Sequence, residues 1–444
     1  MPNGTKVESR WKTTFRALKH RNFQLFFSGQ LISLVGTWMQ TIAESWLVYR
    51  LTGSSLLLGS IGFCAQIPVF LCAPIGGMAA DRMDRRKLVI ATQASAMLLA
   101  LTFATLTLTH RIKVPYIFIL AALLGVVNAF DIPARQAFMV EMVGREDLMN
   151  AIALNSSMFN GARIVGPAIA GILIAKIGEG WCFFGNGLSY IAVIAGLLMM
   201  KVVPRERHAT ASAIAHIIEG FRFVRVNISI RDLMLLLGVV SLVAMPYAVL
   251  MPVFADQILH GGARGLGILM GATGVGALLA ALFLASRSGL RGLGRIIGSA
   301  ALGFGISLIA FANSEHFWLS VALLVPVGFG MMLETTSSNT LLQSMVPDEL
   351  RGRVMAVYTM MFMGMAPLGS LFAGALAEHI GAPLTLSIGG VAAIAAAFVF
   401  LYRLPKFRVS ARELVLAQGL AGGDPPQEII NDGAVNPPFS TEQG

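Results

Sequence analysis

The chain alternates long apolar runs with short polar turns. Runs near 23–49, 55–80, 88–109, 115–139, 150–176, 182–202, 231–255, 265–286, 292–312, 317–341, 352–377 and 383–402 are each close to the length of a membrane crossing. A helix needs about 20 apolar residues to cross a hydrocarbon core. In lipid, only structures that satisfy their own backbone persist. The pattern therefore predicts an all-α polytopic membrane protein of about twelve transmembrane helices. An even number of crossings leaves both chain ends on one side.

Composition agrees: the 444 residues are 56% hydrophobic and 13% charged. The net charge of +10 is distributed unevenly. Of the 33 Lys and Arg, Arg50, Arg111, Lys113, Lys176 and Arg264 fall on one side of the predicted membrane, and Arg135 and Arg163 within spans. The others lie at the termini, in the turns at 81–87, 140–149, 286–295 and 342–353, in the 203–231 linker and, as Lys201, just before it. Positive charge collects on cytoplasmic loops, so both termini are expected in the cytoplasm. The basic charge is thus a topology signal, not a nucleic-acid footprint.

The chain repeats itself. At one constant offset, Phe159 falls on Phe362, Gly161 on Gly364, Gly166 on Gly369, Gly171 on Gly374 and Gly178 on Gly381. The same offset carries Gly125 onto Gly328 and Asp131 onto Glu334. Two pseudo-symmetric six-helix halves follow. The expected organisation is a cytoplasmic N-terminal segment at 1–22, halves at 23–202 and 231–402, a cytoplasmic linker at 203–230, and a cytoplasmic, partly disordered tail at 403–444. Ile214, Ile217, Ile218, Phe221 and Val224 recur at helical spacing in the linker, predicting an amphipathic helix on the membrane surface. A second amphipathic turn is expected around Arg408 to Leu416.

Between the second and third spans lies Gly77-Met-Ala-Ala-Asp81-Arg82-Met-Asp84-Arg85-Arg86. Gly77 is expected to let two helices approach closely. The string resembles the signature loop of the major facilitator superfamily of transporters, with Asp84 where that family usually has glycine. Arg21-Asn-Phe, Trp46-Leu-Val-Tyr-Arg-Leu-Thr-Gly-Ser and Asp131-Ile-Pro-Ala-Arg135 are similar to the superfamily branch of enterobactin exporters and drug-efflux proton antiporters. Gly161-Ala-Arg-Ile-Val-Gly166-Pro167-Ala-Ile-Ala-Gly171 resembles the glycine–proline motif of antiporters. The resemblance implies the major facilitator fold, a bacterial inner-membrane location and alternating access. It also implies that an acid at Asp131 pairs with the loop arginines as a gate. Glu334 would act likewise beside Arg287, Arg291 and Arg295.

Polar groups within spans are costly and therefore candidates for function. The first span carries Gln30, Ser33, Thr37, Gln40, Thr41 and Glu44 on one face. This stripe either lines a central substrate cavity or hydrogen-bonds neighbouring helices. Glu44, its one acid, is either a proton carrier or, close to the outer surface, solvated or paired with Arg50. Many relatives carry an acid where this chain has Thr37, so the proton site cannot be copied across. Asn128 joins Asp131 and Arg135 on the fourth span, and Arg163 lies mid-span in the fifth. Arg163 either attracts an anionic or catechol-rich substrate or balances Asp131. Pro246 and Pro252 predict a doubly kinked seventh span. Met355, Met360, Met361, Met363 and Met365 in the eleventh offer an adaptable apolar surface or ordinary packing.

No Gly-rich loop with Lys-Ser/Thr exists to bind ATP, no metal-ligand spacing, and no nucleophile with its base. Cys64, Cys72 and Cys182 lie in or beside apolar runs as packing residues. No enzyme activity, cofactor or metal is expected. The expected function is proton-coupled efflux of an amphipathic organic molecule, siderophore or drug-like, by a monomer whose partners are that small molecule, protons and the lipid bilayer. Importer, lysolipid translocator and non-transporting sensor or assembly partner are the alternatives.

Overall fold

A computed structural model describes residues 15–201, 213–287, 289–290 and 292–420, the side chains of 213–218, 348 and 418–420 excepted. The helices are α1 (Arg21–Thr52), α2 (Ser55–Arg82), α3 (Arg85–Leu108), α4 (Val114–Val143), α5 (Leu148–Ile177) and α6 (Glu179–Met199). After the linker helix α7 (Ala213–Val226) come α8 (Ile228–Ile258), α9 (Gly262–Ala285), α10 (Leu293–Ala312), α11 (Phe317–Met345), α12 (Asp348–Ile380) and α13 (Ala382–Leu420). Eleven of them are long and apolar enough to cross a membrane. The twelfth crossing is α1, whose apolar surface is diluted by its polar stripe. The molecule is all-α, with two six-helix halves, α1–α6 and α8–α13.

Local chemistry sets the turns. Ser54 caps α2 by accepting a hydrogen bond from the Leu57 N–H at 3.2 Å, as N-cap hydroxyls do. Gly53 ends α1 in the left-handed region, at φ 63°, where glycine carries no Cβ penalty. Asp84, the departure from the family's glycine, has φ −66° and caps α3 through the Lys87 N–H at 3.1 Å. This turn has no need of glycine. Pro246 and Pro252 each lack an N–H, and α8 answers with widened turns at Val240–Ala244 and Phe254–Ile258. The expected double irregularity is present.

The twelfth span does not stop at 402. Helix α13 continues through Pro405 to Leu420, and the turn expected at Arg408 to Leu416 is part of it. Leu404, Phe407, Ala411 and Val415 of this extension are buried. Arg403 pairs with Asp232 of α8 at 3.0 Å, and Ser229 donates to the Phe407 carbonyl at 3.1 Å. The linker helix is present over Ala213–Val226, with Val224 buried and Phe221 exposed. Ile214, Ile217 and Ile218 lie outside the described side chains. Glu219 of α7 pairs with Arg353 of α12.

Two seams join the halves, α2 against α12 and α5 against α9. Gly59 faces Gly374 and the Ser370 carbonyl, and Gly171 faces Gly267 and the Ala263 carbonyl. These contacts run from the face opposite the termini to mid-membrane. One buried apolar cluster there unites Leu47, Ile61, Phe183, Tyr247 and Phe254 across the halves. Toward the termini face, the cluster of Phe23, Phe26, Leu88 and Phe138 holds residues of the first half alone. Among the described residues, the halves thus meet through buried apolar contacts on the far face, and no such cluster joins them on the termini face.

Candidate functional site

The polar stripe of α1 divides. Gln30, Ser33 and Gln40 are buried, and Gln40 accepts a 2.6 Å hydrogen bond from Asn186 of α6. Thr37 donates back to the Ser33 carbonyl at 2.9 Å and Thr41 to the Thr37 carbonyl at 3.0 Å. The buried part of the stripe therefore packs helices together, while Thr41 is exposed and Glu44 partly exposed. Glu44 does not pair with Arg50. That arginine holds Glu179 at 2.7 Å, and Glu44 has no ion-pair partner among the described residues.

Arg163 projects from α5 into the wedge between α1, α5 and α9. Its guanidinium lies 5.7 Å from the Trp38 ring centroid, within cation–π range. Trp38 meets Phe159 edge-on at 5.5 Å, and Phe159 is 46% exposed. Gly166 lets α1 approach, since a Cβ there would strike the Trp38 side chain. Gly274 of α9 sits against the backbone of Arg163 and Ile164. Pro167 and Gly171 extend the same seam, whereas Gly161 borders open space. Arg163 does not balance Asp131, and its Nε is buried without a hydrogen-bond partner. Sequence spacing had not marked Trp38 and Phe159; only packing brings them to Arg163.

Asp131 is buried and fully partnered. It accepts from Thr92 at 2.8 Å and Gln93 at 2.9 Å, and pairs with Arg135 at 3.0 Å. In this structure Asp131 thus pairs with Arg135 of its own helix and not with the signature loop. The loop's Arg85 instead meets Glu141 at 2.8 Å and Asp81 at 3.8 Å, and donates to the carbonyls of Ala80 and Ala137. Arg86 donates to the Leu197 and Leu198 carbonyls, at 2.7 and 2.8 Å. The loop thus ties together the termini-side ends of α2, α4 and α6, because unsatisfied carbonyls at helix ends attract cations. Arg82 is exposed at the rim. Close helix approach occurs at Gly76, against the Ala129 carbonyl, and not at Gly77, which faces open space.

Among the described residues, Glu334 has no ion pair with the arginines expected beside it. It is wholly buried in α11, with Ser338 as its hydrogen-bond partner at 3.4 Å. Arg287 stacks over Phe283 at 5.9 Å, and Arg291 lies outside the described residues. Asn128 is half-buried on α4. Met361 packs against Gly238 of α8, and Met363 is exposed, so the methionine run is shared between packing and open surface. Glu378, at the far end of α12, is a further residue that no sequence motif marks. Its carboxylate accepts from Ser54 Oγ and the Leu56 N–H, both at 3.1 Å, across the two halves.

Comparison with known proteins adds kinship to this geometry. A family model described as transmembrane secretion effector matches residues 12–417. The chain is 27% identical over 393 residues to the staphyloferrin A transporter of Staphylococcus aureus (strain NCTC 8325 / PS 47), covering 87% of this chain and 98% of that one. It is 28% identical over 368 residues to the multidrug efflux pump Tap of Mycolicibacterium fortuitum, covering 80% and 89%. Against the enterobactin exporter EntS of Shigella boydii serotype 4 (strain Sb227) the identity is 24% over 379 residues, covering 84% and 89%. Among solved structures, the nucleoside transporter NupG matches with a TM-score of 0.63 at 15% identity, over 86% of this chain and 98% of that one. A bacterial homologue of the iron transporter ferroportin in an inward-facing state matches with a TM-score of 0.62 at 17% identity, over 87% and 98%. These two likenesses speak to the fold. With a family match over most of its length and two six-helix halves joined at two seams, the chain belongs to the transmembrane secretion effector family of the major facilitator superfamily and is a membrane transporter of that type.

Proposed function

We propose that this protein is a proton-driven exporter of amphipathic organic molecules, siderophores or drug-like compounds, in a bacterial inner membrane with both termini in the cytoplasm. The observation that carries this reading is the wall of Arg163, Trp38 and Phe159 beside the seam between the halves. A guanidinium next to aromatic faces suits a molecule with an anionic or catechol head and a flat apolar body. An opening between the halves on the termini face would admit such a molecule from the cytoplasm. Rocking about the α2–α12 and α5–α9 seams would release it on the other side. The export direction is supported by relatives that are themselves named an efflux pump and an enterobactin exporter.

The test uses everted membrane vesicles with an acidified interior. Enterobactin, staphyloferrin A or ethidium is added and the pH gradient followed by fluorescence quenching. Gradient dissipation that requires the protein is the expected result. Uptake of a compound into the vesicles without proton movement would refute proton coupling. Accumulation in right-side-out vesicles would refute export.

A further inference from the structure

Asp131 and Glu334 occupy equivalent places in the two halves, and the structure gives them opposite surroundings. The offset that superposes the halves carries Asp131 onto Glu334 and Arg135 onto Ser338. The first acid has a cation and two neutral donors. The second has lost its cation to a serine. Its Oε1 accepts from Ser338, while its Oε2 and the neighbouring Ser337 hydroxyl are buried without hydrogen-bond partners.

No ion pair to Glu334 exists among the described residues. It is the one charged side chain of α11. Tyr358 of α12 donates to the carbonyl of the adjacent Thr335 at 3.1 Å. On α9, Arg264 lies at the far end and Arg287 just past the other; on α10, Arg295 lies in the first turn. On α8, Asp232 faces Arg403 of α13, and Asp256 lies in the last turn. An ionised carboxylate with no cation and one long hydrogen bond from a serine is a costly occupant of such a place. A neutral carboxyl fits, since its O–H can donate to a neighbouring oxygen.

We propose that Glu334 is the proton-carrying group of the transport cycle, neutral in the conformation seen here and ionised once substrate occupies the wall around Arg163. This rests on the proton-coupled export proposed above. In the release step the carboxyl O–H bond breaks, its electron pair stays on oxygen, and the proton passes to water entering from the termini face. On the opposite face the same oxygen takes a proton from water. Helix α9 joins the two sites: Gly274 lies against Arg163, while the carbonyl of its neighbour Thr273 lies against Gly328 of α11. Tyr358 belongs to α12, the other seam helix. Both seam helices of the second half thus reach α11, α9 by packing and α12 through Tyr358.

Two measurements test this. Infrared difference spectra of the purified protein against Glu334→Gln at neutral pH should show a protonated-carboxyl C=O band in the wild type alone. Loss of a carboxylate band instead would overturn the proposal without touching proton-coupled export. Next, enterobactin or staphyloferrin A is added to each protein in weakly buffered detergent solution with a pH indicator. The wild type and Glu44→Gln should release a proton on binding, and Glu334→Gln should bind the probe but release none. Release that persists in Glu334→Gln, or disappears only in Glu44→Gln, would overturn the assignment. No release from the wild type, when the probe binds, would refute proton coupling itself and the assignment with it. Glutamine matches the neutral acid in shape, so the variant should unfold at the wild-type temperature. Glu334→Asp, which keeps a titratable group, should retain release.

Discussion

Asp131 and Arg163 both carry polar chemistry within the membrane, yet they answer substitution differently. Asp131 satisfies Arg135, Thr92 and Gln93, so Asp131→Asn leaves the partly buried Arg135 guanidinium without its carboxylate. Breaking a buried pair costs about 3–5 kcal/mol, and thermal unfolding in detergent should shift down accordingly. Affinity for substrate should stay within a few-fold, and a selective loss of binding with unchanged stability would contradict a structural role. Arg163→Ala removes a cation held over an aromatic face, a contact of about 0.5–2 kcal/mol. Binding of the anionic probe staphyloferrin A should weaken roughly tenfold, with ethidium affected less, as titration of intrinsic tryptophan fluorescence would show. That both residues mattered was legible from charge in an apolar run. Their partners were not, because Trp38 and Thr92 lie far off in sequence and meet their targets only through packing.

At the scale of elements, α13 and the α2–α12 seam make separate claims. The α13 extension buries Leu404, Phe407 and Val415 and brings Arg403 to Asp232. A chain ended at residue 402 should expose that apolar surface and leave Asp232 without its nearest cation. Its yield in membranes and its unfolding temperature should fall, whereas a surface tail would be dispensable. The apolar run ends at 402, where Arg403, Lys406 and Arg408 follow; docking against α8 carries the helix on through Pro405. In the seam, Gly59 packs directly on Gly374 and the Ser370 carbonyl. Gly59→Leu should force the far face apart and favour the opposite opening. Labelling of a cysteine placed on the far side of the seam measures that shift, and unchanged labelling would show that the seam yields elsewhere.

For the whole molecule, the expected motion is an exchange of which face is sealed. In the conformation seen here Glu378 holds the N-terminus of α2 across the halves, at 3.1 Å to both Ser54 Oγ and the Leu56 N–H. A reducible bifunctional thiol cross-linker between Ser54→Cys and Glu378→Cys should stop transport by holding the far face shut. Reduction should restore it. Continued transport by the cross-linked protein would mean that the far face need not open there.

What the sequence by itself determined was the membrane, the count of crossings, the two-fold repeat and the family. Each rests on a signal summed over many residues: run length against bilayer thickness, charge bias between faces, and glycines recurring at one offset. The tertiary structure alone decided the pairing. It assigned Arg85 to Glu141 and not to Asp131, Arg50 to Glu179 and not to Glu44, and close approach to Gly76 and not to Gly77. One residue along a helix turns a side chain through about 100°. Which neighbour it meets then depends on how twelve helices pack, and no single stretch of sequence contains that information.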